Sequence, residues 1–131
     1  MNKKLVLLGG VLCLLVASRQ SEAGLKTTGN VSINTTTRTA SGSLGSARNS
    51  SDSTQYIECF LSAGSAGVPF GSCAATNTSG THVTCSSNNL GIIEQIRAMN
   101  GDDRVQFYYD AAGECTLITL TRSSRYAPKV N

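Results

Sequence analysis

Cysteine is the residue in this chain whose chemistry is most constrained. Cys59, Cys73, Cys85 and Cys115 stand in the body of the sequence, while a fifth, Cys13, sits in an apolar run near the start. An even set of thiols in a short exported chain closes into disulfides more readily than it holds a metal. These four therefore predict two structural disulfides and no cofactor. Four cysteines allow three connectivities. Cys73 and Cys85 flank a predicted turn almost symmetrically, which favours Cys73–Cys85 and leaves Cys59–Cys115. The main alternative is Cys59 with Cys73 and Cys85 with Cys115.

Catalysis by a nucleophile and base would need a poised Ser or Cys beside a base. The single histidine, His82, follows a turn and lies near no activated-serine motif, so it reads as a half-exposed turn residue. One histidine also falls short of the three or four converging ligands of a zinc site. Asp102, Asp103, Asp110 and Glu114 cluster around the last predicted hairpin. Paired carboxylates can hydrolyse glycosides and clustered ones can hold calcium, but here each lies at a helix stop or a turn, where it solvates the chain. Tyr56, Phe60 and Tyr108 are the candidate binding surface, an aromatic platform for a glycan or a partner protein, set against ordinary packing within a sheet. The Thr-x-Thr patterns of Thr35, Thr37 and Thr39 and of Thr119 and Thr121 can order water or ice when arrayed on a flat sheet, set against the ordinary β-propensity of a branched residue. Asn30, Asn34, Asn49 and Asn77 begin N-x-Ser/Thr sequons, which matter only in a eukaryotic secretory route.

The start of the chain directs it outward. Lys3 and Lys4 precede an apolar run over residues 5–17, and Ser21, Glu22 and Ala23 set small residues where a signal peptidase reads, so residues 1–23 are a removable signal of bacterial type. The run is shorter than the roughly 20 apolar residues of a membrane span, which excludes stable membrane insertion once the signal is removed. The chain has 11 basic and 8 acidic residues; the signal takes Lys3, Lys4, Arg19 and Glu22 with it, leaving 8 against 7 and a formal net charge of +1. No basic stripe with interleaved aromatics remains, so a nucleic-acid partner is excluded.

The remaining 108 residues suit one domain, small enough that disulfides weigh heavily in its stability. Residues 24–54 are rich in Ser, Thr, Asn and Gly and predict a polar segment with one weak strand near Val31 to Ala40, then a flexible loop. Residues 55–123 predict the disulfide-bonded β-rich domain. Alternation marks a strand over residues 56–63, a hairpin over 70–75 and 82–86, and a second hairpin over 105–109 and 115–122 around the Asp110 to Gly113 turn. The last strand carries apolar groups on both faces and so reads as central. Ile92, Ile93, Ile96 and Met99 recur at helical spacing, giving one short helix over about residues 89–100 capped by Asn88 or Asn89. Residues 124–131 read as a loose tail.

The fold class expected is mainly β: a small disulfide-stapled antiparallel sheet or sandwich of about five or six strands with one short helix. A rigid scaffold with few charges and no converging reactive groups suits a non-enzymatic binding or structural protein of the cell envelope, surface or extracellular matrix, secreted or periplasmic. The alternative is a secreted inhibitor of a protease or lysozyme, using the loops at residues 64–69 and 76–81; a small carboxylate-dependent hydrolase ranks last.

Overall fold

The computed structural model describes residues 24–128 and residue 130, so the export signal read in residues 1–23 lies outside the described residues. The elements in order are β1 (Ser32–Asn34), β2 (Thr39–Ser43), α1 (Leu44–Asn49), β3 (Tyr56–Ala63), β4 (Pro69–Thr76), β5 (His82–Ser87), α2 (Leu90–Arg97), β6 (Arg104–Tyr109) and β7 (Cys115–Thr121). Strands β1-β2-β6-β7 form one antiparallel sheet and β3-β4-β5 a second. The fold is thus mainly β, as its alternating segments require, with seven strands among the described residues rather than the five or six expected. The inner faces of both sheets and the apolar stripe of α2 share one core. Asn89 caps that helix, its side-chain oxygen accepting from the Gly91 and Ile92 amides.

The disulfides are Cys59–Cys73 and Cys85–Cys115, which corrects the expected Cys73–Cys85 and Cys59–Cys115. Cys73 does sit directly opposite Cys85, but in the same register it also sits directly opposite Cys59, because β4 is the middle strand. The position of the other sheet breaks the tie. Ser86 N donates to Gly113 O at 3.0 Å and Ser86 bridges Glu114, so β5 lies against the start of β7 and Cys85 reaches Cys115. Cys59, two strands from β5, is displaced by roughly 10 Å and takes Cys73 instead. One bridge staples strands within a sheet and the other joins the two sheets.

The segment expected to be a flexible loop is part of the body. Val31 to Ala40 folds as two strands, β1 and β2, around a turn in which Asn34 Oδ1 accepts from the Thr36 and Thr37 amides at 3.0 and 2.9 Å. After β2 the chain enters α1 with Ser43 as N-cap. Ala40 and Ser43 are fully buried, and Ser43 N donates to Gly29 O at 2.7 Å. Gln55, also buried, accepts from Val31 N at 2.9 Å and donates to Ser50 Oγ at 2.9 Å. Composition conceals this packing because it works by close backbone approach: a Cβ on Gly42 would stand 3.0 Å from Val31 Cγ2 and 3.2 Å from Ile57 Cγ2.

Two further expectations change. Strand β7 is an edge of its sheet, not central. Its pairing slips between Tyr108 and Tyr109, so that Tyr109 faces Cys115 and Tyr108 faces Leu117, with Thr116 as the extra residue. Strict alternation would put Cys115 and Ile118 on opposite faces; the bulge lets both be buried. The tail is also tied down, since Arg125 O accepts from Thr27 N at 2.8 Å and Pro128 O from Asn49 Nδ2 at 2.8 Å.

Peptide mapping without reduction should recover Cys59 with Cys73 and Cys85 with Cys115, and a Cys73 with Cys85 peptide would refute this topology. Gly29→Ala tests whether the polar segment belongs to the fold, since the added Cβ would lie 2.5 Å from Ser43 Cβ and 3.2 Å from Ser43 N. Overpacking of this kind costs about 1–3 kcal/mol, to be read as a lower urea midpoint; an unchanged midpoint would mean that residues 24–54 stand apart from the cooperative unit.

Candidate functional site

Alternation along β3 buries Ile57 and Cys59 and turns Tyr56, Glu58 and Phe60 outward. On the neighbouring strands the outward positions are Phe70, Ser72, Ala74 and Thr76 of β4, then His82, Thr84 and Ser86 of β5, in register with them. The middle strand contributes small side chains. Ser72, Ala74 and Thr76 are each only 8% exposed although they face outward, because the taller rows beside them shield them. Ser72 Oγ donates to Cys85 O at 2.8 Å and Thr84 Oγ1 to Cys73 O at 3.1 Å, so these hydroxyls are spent on the ladder. The outer face is therefore a shallow trough with an aromatic wall on β3 and a polar wall on β5.

Tyr56, Phe60 and Phe70 are 41%, 46% and 40% exposed, an unusual amount of aromatic surface left in water on one sheet face. Phe70 was not among the sequence candidates. Extending the pairing of residues 56–63 with 70–75 puts it diagonally beside Phe60, so its signal lay in the register. Tyr56 lies at one end of the face, its ring 6.2 Å from that of His82, and it also lines an adjoining hollow of about 570 Å³ with Leu44, Arg48 and Asp52. Tyr108 does not join them. It is on the outer face of the four-stranded sheet, where its hydroxyl accepts from Gln106 Nε2 at 2.7 Å beside a polar hollow of about 360 Å³ lined by Ser32, Asn34 and Thr39. Tyr56 and Phe60 share a surface, and Tyr108 belongs to another.

The remaining candidates are placed as structural groups. His82 is exposed, with Nδ1 at 3.0 Å from Thr76 Oγ1 and 3.4 Å from the Tyr56 hydroxyl. Asp103 is buried: Oδ2 accepts from Asn100 N at 2.7 Å and Oδ1 from Arg122 Nε at 3.2 Å. Asp110 Oδ1 accepts from the Ala112 and Glu114 amides at 2.8 and 2.9 Å, and Glu114 Oε1 accepts from Ser87 Oγ. Asp102 and Asp103 precede β6 while Asp110 and Glu114 follow it, so the two pairs are separated by roughly 20 Å of strand. Glycosidase carboxylates stand about 5–10 Å apart. Among the described residues no three of His, Cys, Asp and Glu lie close enough to hold a metal ion. The loops proposed for an inhibitor, residues 64–69 and 76–81, lie at opposite ends of β4, and each would have to act alone. The Thr-x-Thr sets do not form one flat array, since Thr35 and Thr37 are in the β1–β2 turn. Asn34 and Asn77 use their side chains to hold local backbone, and Asn49 holds the backbone of the C-terminal tail.

Comparison of the chain with protein-family models, with curated proteins and with solved structures returns no match, leaving the geometry itself as the guide to function.

The role given to Asp103 has a measurable consequence. Asp103→Ala removes the acceptor of the Asn100 amide and one of the two acceptors of the Arg122 guanidinium, which keeps Ala98 O, and should lower unfolding stability by about 2 kcal/mol; a variant as stable as the parent would mean that the carboxylate serves something other than the fold.

Proposed function

We propose that this is an exported, non-enzymatic binding or structural protein that works outside the cytoplasm, in the envelope, at the cell surface or in the extracellular matrix, through contacts with a protein or a glycan. The observation that carries the proposal is the outer face of the three-stranded sheet, where Tyr56, Phe60 and Phe70 stand exposed on a scaffold held by Cys59–Cys73 beneath them. Exposed aromatic rings supply contact area at little entropic cost because they have only two side-chain torsions to fix. Stacking on a sugar ring or packing on an apolar partner draws on the same surface, and Glu58, His82 and Thr84 on that face add polar contacts.

The compartment follows from chemistry. Disulfides persist in oxidising surroundings and are rare where thiols are kept reduced. Two of them in a chain with an export-type start support a secreted or periplasmic location. No described helix is long and apolar enough to cross a membrane.

The test is retention of the immobilised protein's partner from envelope and culture extracts, alongside a panel of polysaccharides. Tyr56→Ala with Phe60→Ala should lower retention at least tenfold, as for residues at the centre of an interface, while the melting temperature stays close to that of the parent. Retention unaffected by the pair, or stoichiometric inhibition of a protease or lysozyme by both parent and variant, would reject the assignment of this face.

A further inference from the structure

The start of the described chain and its tail meet on a surface away from the sheet face. Thr27 N donates to Arg125 O at 2.8 Å, and around this contact Lys26, Arg125, Thr28, Ser46, Asn49 and Ser50 line a hollow of about 570 Å³. Among the described residues no carboxylate lines it. The nearest acidic residue in sequence, Asp52, is occupied elsewhere, its Oδ2 accepting from the Thr54 and Gln55 amides at 3.2 and 2.6 Å.

The charged groups of the hollow are donors only, and several of its hydroxyls are left with a proton to give. Ser46 Oγ accepts from Gly29 N at 3.1 Å, and Ser50 Oγ accepts from Asp52 N at 3.1 Å and Gln55 Nε2 at 2.9 Å. A hydroxyl that already accepts keeps its own proton to give. Asn49 has spent both ends of its amide, donating to Pro128 O and accepting from Val130 N at 2.9 Å, which fixes the wall rather than offering an acceptor. What remains includes the Lys26 ammonium, the Arg125 guanidinium, whose Nε also donates to Ser123 Oγ at 3.4 Å, hydroxyl protons, and the Asn30 amide, which can donate as well as accept. An anion seated in the hollow accepts from several of these donors at once.

We propose that this hollow binds a tetrahedral oxyanion, the phosphate or sulfate group of a larger molecule. Inorganic phosphate and inorganic sulfate, each titrated into the intact ¹⁵N-labelled protein at constant ionic strength maintained with chloride, should produce saturating amide shifts confined to residues 26–28, 49–51 and 125. Lys26→Gln and Arg125→Gln should each weaken binding roughly two- to fivefold, the range of exposed ion pairs, while Arg38→Gln leaves it unchanged. The second ionisation of inorganic phosphate falls near neutrality, above the value of about 6 for a phosphoester, so binding that strengthens as inorganic phosphate loses that proton, while sulfate binding stays flat over the same pH range, points to a phosphoester source. Sulfate binding of equal or greater strength points to a sulfated one. Shifts that grow linearly without saturating, that spread over every cationic residue, or that persist in the double variant overturn the proposal.

Discussion

The link between Cys85 and Cys115 is the constraint on which the arrangement depends. It is the covalent tie between a strand of one sheet and a strand of the other, and it closes a loop of 30 residues that contains α2 and β6. The core around it is built with few large side chains: of the residues with almost no exposure, only Phe107, Ile93 and Val105 are sizeable apolar groups. The rest of the core cluster is Val31, Ile57, Ile92, Ile96 and Ile118 together with the four half-cystines, Ala40 and Ala75, a modest apolar area. On the chain-entropy account a bridge across a loop of this length contributes about 3 to 4 kcal/mol, a large fraction of the roughly 5–15 kcal/mol that holds a small domain folded. The sulfur bridges therefore supplement a small core in which the half-cystines themselves occupy buried positions.

Because the inner faces are joined in this way, both outer faces are left for other work, and they differ in character. That of the three-stranded sheet is aromatic along one edge and lined with small residues in the middle, while that of the four-stranded sheet is polar around Gln106, Tyr108 and the hydroxyls of β1 and β2. The carboxylates that attract notice in the sequence are consumed in holding the turns and the helix stop that connect the layers. A residue type associated with catalysis thus does architectural work here, and while Phe107 fills the core, the rings of Tyr56, Phe60 and Phe70 are exposed.

Much of the architecture was legible from residue order. The alternation in residues 56–63 and 105–109, the helical recurrence of Ile92, Ile93 and Ile96, and the Asp110 to Gly113 turn each specify local structure through period and turn chemistry, and each element forms where they place it. Two of the three exposed rings were legible by the same means, because Tyr56 and Phe60 share the parity opposite to buried Ile57 and Cys59. The β1–β2 hairpin and α1 were not, since Ala40, Gly42, Ser43 and Ser46 are buried by proximity to Gly29, Val31 and Ile57 and resemble linker residues in every local property.

What the sequence by itself determined is which residues face together within each strand or helix, that four thiols would be used structurally, and that the body would be antiparallel β, all of which depend on neighbours in the chain. Only the tertiary structure decided which thiol met which, that β7 is an edge whose bulge turns Cys115 inward, and that Tyr108 is parted from Tyr56 and Phe60. Those outcomes depend on where one sheet lies relative to the other. Cys73 has an equally good partner on either side along its own sheet, and the choice is made by the nearness of β5 to β7, a distance between segments that no local periodicity encodes.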